Sequence, residues 1–370
     1  MRRAWVWLFR ATAAVLLASL LAAIGIVAMD DTIRARNARD LAIRSPDGID
    51  WGGFVQIGGV PQWVRIRGQH RNNPVLLILH GGPSDAQSAL TKLYAPLETD
   101  FTVVQWDQRG AGRTFGRGVR LTPNTPYQLL IDDGLEVTGY ALRVLHKPKL
   151  ILLGHSLGSA LGVHMIKQRP SLFYAYVGTG FLVAQSARES LIYRRAMSLA
   201  RKAEDVASIA TLERAGPPPY RTFNDFLAVD AMVRKRYGDS SDRAFFEMNR
   251  TSEPAYVFTS PELTPYQMYD WYRAIMTTTY TSPYPPAGHA DIQPLGYDFD
   301  VPFFVIQGEN DWETPTDLAA AYFQRVRAPY KEYIPLPGGH WAAMIHMQYF
   351  RDLLVAHVRR YATATASIAQ

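Results

Sequence analysis

A chain of 370 residues with 48% hydrophobic and 12% aromatic content is globular, not disordered, and is long for a single compact core. Its net charge of +6 does not require a nucleic-acid partner, because residues 1–44 hold seven arginines against three aspartates, leaving only +2 for the rest. The absence of cysteine excludes disulfides, thiolate metal sites and a cysteine nucleophile.

Residues 11–29, ATAAVLLASLLAAIGIVAM, carry no charge, and as a helix they would reach about 28 Å, one hydrocarbon core. Arg2, Arg3 and Arg10 precede them. This length favours reading 1–29 as an uncleaved single-pass membrane anchor. The competing reading is a signal segment, but its small-residue cleavage site, Ala23-Ile24-Gly25, lies inside the apolar run. Arginines flank both sides, so charge bias orients the segment poorly. The expectation is an extracytoplasmic body, secreted if the segment is cleaved. Residues 30–48 are polar and end in Ser45-Pro46-Asp47-Gly48, and they read as a linker.

GGFVQIGGVPQWVRIRG (52–68) predicts an antiparallel hairpin around its glycine pair. Apolar runs follow at 75–80, 102–107, 149–156, 174–180, 303–310 and 331–336. Helical patterns near 85–98, 126–146, 157–169, 315–327 and 341–361 separate or follow them. Continuous apolar strands alternating with helices predict an α/β fold whose mostly parallel sheet is covered on both faces. The alternation breaks over 181–297, where LIYRRAMSLARKAEDVASIATLERAG reads as helix up to Gly216-Pro217. The organisation expected is a core over 49–180, a helical cap over 181–297 and the rest of the core over 298–365.

LILLGHSLGSALG (150–162) places Ser156 between Gly154 and Gly158, after a strand and before a helix. That is the setting of a nucleophile elbow, a sharp turn that lifts a serine hydroxyl above the sheet edge. The following helix N-terminus offers free N–H groups, and the amide of Leu157 is expected to face a developing oxyanion. A serine nucleophile needs a base, and the base an orienting acid, here in the chain order serine, acid, histidine. Asp311 in FFVIQGENDWETP follows the first strand after the insertion, and His340 in KEYIPLPGGHWAAM follows the last strand. Glu309 and His346 are the rivals for these roles. The second oxyanion donor is expected from His80-Gly81-Gly82-Pro83-Ser84, at Gly82 rather than Gly81. His80 ends a buried strand and reads as structural. Asp107, Arg109 and Arg113 of DQRGAGRT read as a hydrogen-bonded loop. The sequence has no zinc-binding His-Glu-x-x-His, P-loop or dinucleotide fingerprint, so no metal or cofactor is expected.

HGGPS, DQRGAGRT, GHSLGSALG, GENDWETP and PGGHWAAM together resemble the α/β-hydrolase superfamily, and more narrowly its proline-iminopeptidase-like branch. The resemblance covers about 50–180 and 298–360. It implies an eight-stranded sheet, a helical cap, a Ser156–Asp311–His340 triad and an oxyanion hole from Gly82 and Leu157. Three features depart from the branch. Ser84 replaces the last glycine of the first signature, GHSLG replaces GGSWG, and the tryptophan-glutamate cap segment is absent. An aminopeptidase needs a carboxylate for the substrate ammonium. Glu189, Glu204, Glu213, Glu247 and Glu253 are available in the cap, and the sequence does not choose among them. Eight aromatics between 256 and 284 read mainly as the cap's own core.

The leading expectation is a membrane-anchored serine hydrolase acting on a small amide, a peptide N-terminus or a hydrophobic ester. The competing class is a non-catalytic binding protein on the same scaffold, for which three such groups in register have no use.

Overall fold

The computed structural model describes residues 31–246, 253–279 and 289–363. The anchor or signal segment expected over 1–29 lies outside them, as do Glu247, Tyr280 and Tyr284. Among the described residues no helix is long and apolar enough to cross a membrane.

Eight strands form one sheet: β1 (Ile49–Ile57), β2 (Val60–Gly68), β3 (Val75–Leu79), β4 (Thr102–Asp107), β5 (Leu150–His155), β6 (Phe173–Thr179), β7 (Phe303–Gly308) and β8 (Lys331–Leu336). Their spatial order is β1-β2-β4-β3-β5-β6-β7-β8. β1 and β2 form the predicted hairpin, closed by Gly58 and Gly59 at φ of 54° and 74°. Such left-handed values in a two-residue turn suit glycine. β2 also meets β4 antiparallel, and every later pairing is parallel. Every residue of β3, β4, β5 and β7 is buried, as expected for parallel strands covered on both faces.

The topology fixes where a ligand can bind. From β3 the chain moves outward to β4, then returns to the other side of β3 as β5. The loops after β3 and β5 therefore diverge, leaving a crevice at the strands' carboxyl ends.

Helices Tyr127–Leu145, Leu157–Gln168 and Thr316–Arg325 form close to where the sequence places them. Three segments differ. Only Thr91–Tyr94 of the expected 85–98 helix is α-helical, followed by a 3-10 turn at Ala95–Thr99 with Pro96 in its first turn. The preceding loop is held without a helix ladder, by Gln105 Nε2 on Gln87 O at 3.0 Å and Tyr94 Oη on Gln87 Oε1 at 2.7 Å. The C-terminal pattern is broken into Ala342–Ile345, Met347–Leu353, a π-turn at Leu354–Val358 and Arg360–Thr363. Within the stretch read as a linker, 31–40 is helix, and Asn37 Nδ2 donates to Thr259 O at 2.9 Å.

Between β6 and β7 the described insertion is helical: Gln185–Lys202, Val206–Ala215, Phe223–Arg236, Ser240–Phe246, Glu253–Phe258 and Pro265–Ala274. What reads as one helix from Leu191 is two. Glu204 at φ 51° breaks it, and Asp205 caps the second by accepting from Ser208 N at 3.1 Å. The insertion touches the crevice loops through Trp271 Nε1 on Ala86 O at 2.9 Å and Thr278 Oγ1 on Gly110 O at 3.2 Å.

Candidate active site

Ser156 occupies the turn between β5 and helix Leu157–Gln168 at φ 54° and ψ −124°. A non-glycine residue there is strained and persists only where its surroundings enforce it. The flanking glycines provide that enforcement. A Cβ on Gly154 would lie 2.3 Å from Gly158 O, and one on Gly158 would lie 2.2 Å from Leu79 O and 2.6 Å from His80 O. Helix, β3 and elbow can thus touch backbone to backbone only without those side chains. His155 and Leu157 are buried on either side, while Ser156 is half-buried.

Asp311 and His340 meet above the ends of β7 and β8. His340 Nδ1 lies 2.9 Å from Asp311 Oδ2, and both side chains are buried. Asp311 also accepts from Thr314 N at 2.7 Å, Glu313 N at 2.8 Å, Thr314 Oγ1 at 2.7 Å and Gln307 Nε2 at 2.9 Å. Those four donors fix the direction of the carboxylate. Both rivals stand aside: Glu309 is exposed, and His346 sits at the junction of two short helices.

Residues Thr179 and Gly180 connect this pair to the elbow. Ser156 N donates to Thr179 O at 2.9 Å. A Cβ on Gly180 would come 2.7 Å from His340 Cε1, so the ring's approach depends on glycine there. In this structure Ser156 Oγ makes no hydrogen bond to the ring. Such contacts are often loose before substrate binds.

Burial opposes a charge on His340, but Asp311, then Glu313 and Asp242, outweigh it and raise the ring's pKa to about 9. His155 packs 4.8 Å from His340, centroid to centroid. Burial first, and the neighbouring His340 second, hold His155 well below its ordinary range. Two adjacent imidazoles are thereby pushed in opposite directions. His80 is buried and hydrogen-bonded: its Nε2 accepts from Gln108 N at 3.1 Å, its Nδ1 faces Gly81 O at 2.8 Å, and burial lowers it to about 4.

Gly81 and Gly82 follow β3 directly. A Cβ on Gly81 would lie 2.8 Å from Ser156 Cβ, and Gly82 has φ 102°. The HGGPS loop therefore runs against the serine. The DQRGAGRT loop is hydrogen-bonded away from it: Arg109 Nη2 reaches Asp133 Oδ1 at 3.2 Å and Gly58 O at 2.8 Å, and Arg113 Nη2 reaches Glu262 O at 2.6 Å.

Two further acidic residues stand at the site, neither marked by a motif. Glu313 Oε2 stands 3.9 Å from His340 Nε2, while its Oε1 pairs with Arg234 at 2.9 Å. Asp242, from the insertion, accepts from His340 N at 2.7 Å and Trp341 N at 3.0 Å. Burial first, then resisted by those two amides and by His340, raises Asp242 to about 6. Asp239, three residues earlier, accepts from Asn310 Nδ2 at 3.3 Å, so one turn of the insertion holds both the acid loop and the histidine loop. Of the cap glutamates, Glu189 hydrogen-bonds Gln185 at 2.7 Å, and Glu204 and Glu213 are exposed.

A serine elbow at the sheet's switch point, with an acid–histidine pair over the same edge, is the layout of an α/β-hydrolase. The chain belongs to the alpha/beta hydrolase fold family, whose profile matches residues 74–346. A probable aminopeptidase of Bacillus subtilis (strain 168), YbaC, is 29% identical over 327 residues, spanning 83% of this chain and 96% of that protein. A probable proline iminopeptidase of Streptomyces coelicolor is 30% identical over 188 residues, 48% of this chain and 54% of its own. The crystal structure of a Mycobacterium smegmatis proline iminopeptidase superposes with a TM-score of 0.56 at 18% identity, over 85% of this chain and 100% of that one. This last likeness is one of fold.

Proposed function

We propose that the protein is a serine hydrolase of the aminopeptidase or amidase kind, with Ser156 as nucleophile, His340 as general base and Asp311 as its orienting acid. In this reading neutral His340 takes the Ser156 proton as Oγ attacks the substrate carbonyl. The oxyanion is held by the amides of Gly82 and Leu157, and His340 returns its proton to the leaving amine. Water then releases the acyl group by the same steps in reverse order of roles. The observation that carries the reading is the 2.9 Å Asp311–His340 pair over the same sheet edge as a serine held at φ 54°. Strain of that kind has a use in nucleophile presentation. Two further points support an amine-bearing substrate: the Glu313 carboxylate beside His340 Nε2, and relatives named as a probable aminopeptidase and a probable proline iminopeptidase.

A fluorophosphonate probe should label the wild-type chain and fail to label Ser156→Ala. Equal labelling of both would remove the nucleophile assignment, and no labelling of either would favour a binding protein on this scaffold. Rates on prolyl and other aminoacyl arylamides, set against p-nitrophenyl esters of graded length, test the substrate class. Turnover confined to esters would end the aminopeptidase reading.

A further inference from the structure

Helix Pro265–Ala274 presents an unusual outer face. On its inner side Met268, Asp270, Trp271 and Ala274 are buried, Met268 and Trp271 within the core. On its outer side, where a surface helix normally carries charge, stand Tyr266, Tyr269 and Tyr272, exposed by 67%, 56% and 53%. Met276 follows in the next turn and is also exposed. The aromatics of this stretch, expected to form the cap's core, thus divide, and three tyrosines face outward. Arg273 lies over the Tyr269 ring at 5.4 Å and pairs with the buried Asp270 at 3.6 Å, and Arg120 lies over Phe115, which Arg273 also approaches.

A second observation bears on what covers this face. Helix 31–40 begins just after the uncharged run 11–29, and it packs on the loop that leads into the tyrosine helix. Arg34 hydrogen-bonds Ser260 O and Leu263 O, and Leu263 lies two residues before Pro265. Ile33 and Phe258, on the two partners of this contact, are themselves partly exposed apolar side chains. The point where an apolar segment of one bilayer thickness would leave the membrane is therefore fixed beside the start of the tyrosine helix. Tyrosines with an apolar ring and a polar tip, flanked by arginines, suit the headgroup layer.

We propose that the face formed by Tyr266, Tyr269, Tyr272 and Met276 rests in the interfacial layer of a lipid bilayer, holding the catalytic domain against the membrane in one orientation. The absence of native cysteine makes a direct test available. Full-length Tyr266→Cys, Tyr269→Cys and, as a control on an exposed helix elsewhere in the insertion, Val206→Cys each carry a single nitroxide label. They are incorporated into phosphatidylcholine vesicles with and without phosphatidylglycerol. Collision rates with oxygen, which partitions into the bilayer, and with a water-soluble nickel chelate are then compared. The expected result is an oxygen-to-nickel ratio several-fold higher at 266 and 269 than at 206. Equal ratios at all three positions would overturn the proposal. So would labels at 266 and 269 screened from both reagents, which would give the face to a second copy or to another segment of the chain. Failure of the chain to sediment with the vesicles would overturn it as well.

Discussion

Replacing Glu313 with glutamine tests the electrostatics of the site without altering its shape. The carboxylate is 3.9 Å from His340 Nε2, a separation at which an effective dielectric of about 20 gives an attraction of about 4 kcal/mol. Arg234, 2.9 Å from the other carboxylate oxygen, cancels much of this, and part of the carboxylate faces water. About 1.4 kcal/mol is a reasonable remainder, equal to about one pH unit. The sign follows from which form is stabilised. Glu313 favours the imidazolium, so its removal lowers the His340 pKa from about 9 towards about 8. The proposed base acts only when neutral, so the acid limb of the kcat/KM profile should move down by about one unit and the rate at pH 7 should rise by up to about tenfold. Hydrolysis of p-nitrophenyl acetate is the assay, because an uncharged ester separates this effect from any role of Glu313 in binding an ammonium. An acid limb that stays in place would refute the coupling. A limb that moves upward would mean that Glu313 does not favour the charged ring.

The core strands and the elbow are legible in the sequence because their causes are local. VLLIL and LILLGH are apolar throughout, as buried parallel strands must be, and the glycines around Ser156 are dictated by contacts within a few residues or with the adjacent strand. Asp311 and His340 are legible because each follows a strand that ends at the same sheet edge. Asp242 is not, because its acceptors serve amides 98 and 99 residues away, and GDSSD carries no local mark of that contact. Glu313 is not legible although it lies two residues from Asp311, since its approach to His340 Nε2 depends on the loop's three-dimensional path. The 85–98 segment fails as a helix for a different reason. Gln87 and Ser88 are buried, and tertiary hydrogen bonds replace the helical ladder. Helix 31–40 is not legible within its polar stretch because polar composition does not reveal a docking contact such as Asn37 on Thr259.

Three further substitutions probe the structure, two at the site and one as a control. Asp242→Asn leaves one acceptor where two buried amides need partners, so the grip of the insertion on the His340 loop should loosen and kcat should fall more than KM rises. The stability effect has its own sign: a carboxyl raised to about 6 contributes stability that is present below its ordinary value and lost as pH rises through 6. The wild type should therefore lose about 2 kcal/mol relative to Asp242→Asn between pH 4 and pH 8, after discounting for solvent contact, and parallel denaturation curves at the two pH values would contradict this. Gly158→Ala and Gly139→Ala form a matched pair, both placing alanine in a helix. At Gly139 the new methyl meets nothing closer than Arg143 Nη1 at 3.5 Å, so helix propensity should prevail and stabilise by about 0.5–1 kcal/mol. At Gly158 the same methyl falls 2.2 Å from Leu79 O. Two backbones cannot absorb that overlap without the helix moving off β3, and the helix begins at Leu157, directly after Ser156. The expected result is a loss of about 3 kcal/mol or more, together with fluorophosphonate labelling reduced beyond what the unfolded fraction explains. Equal melting temperatures for the two variants would show that close contact between helix and strand is not what holds the elbow.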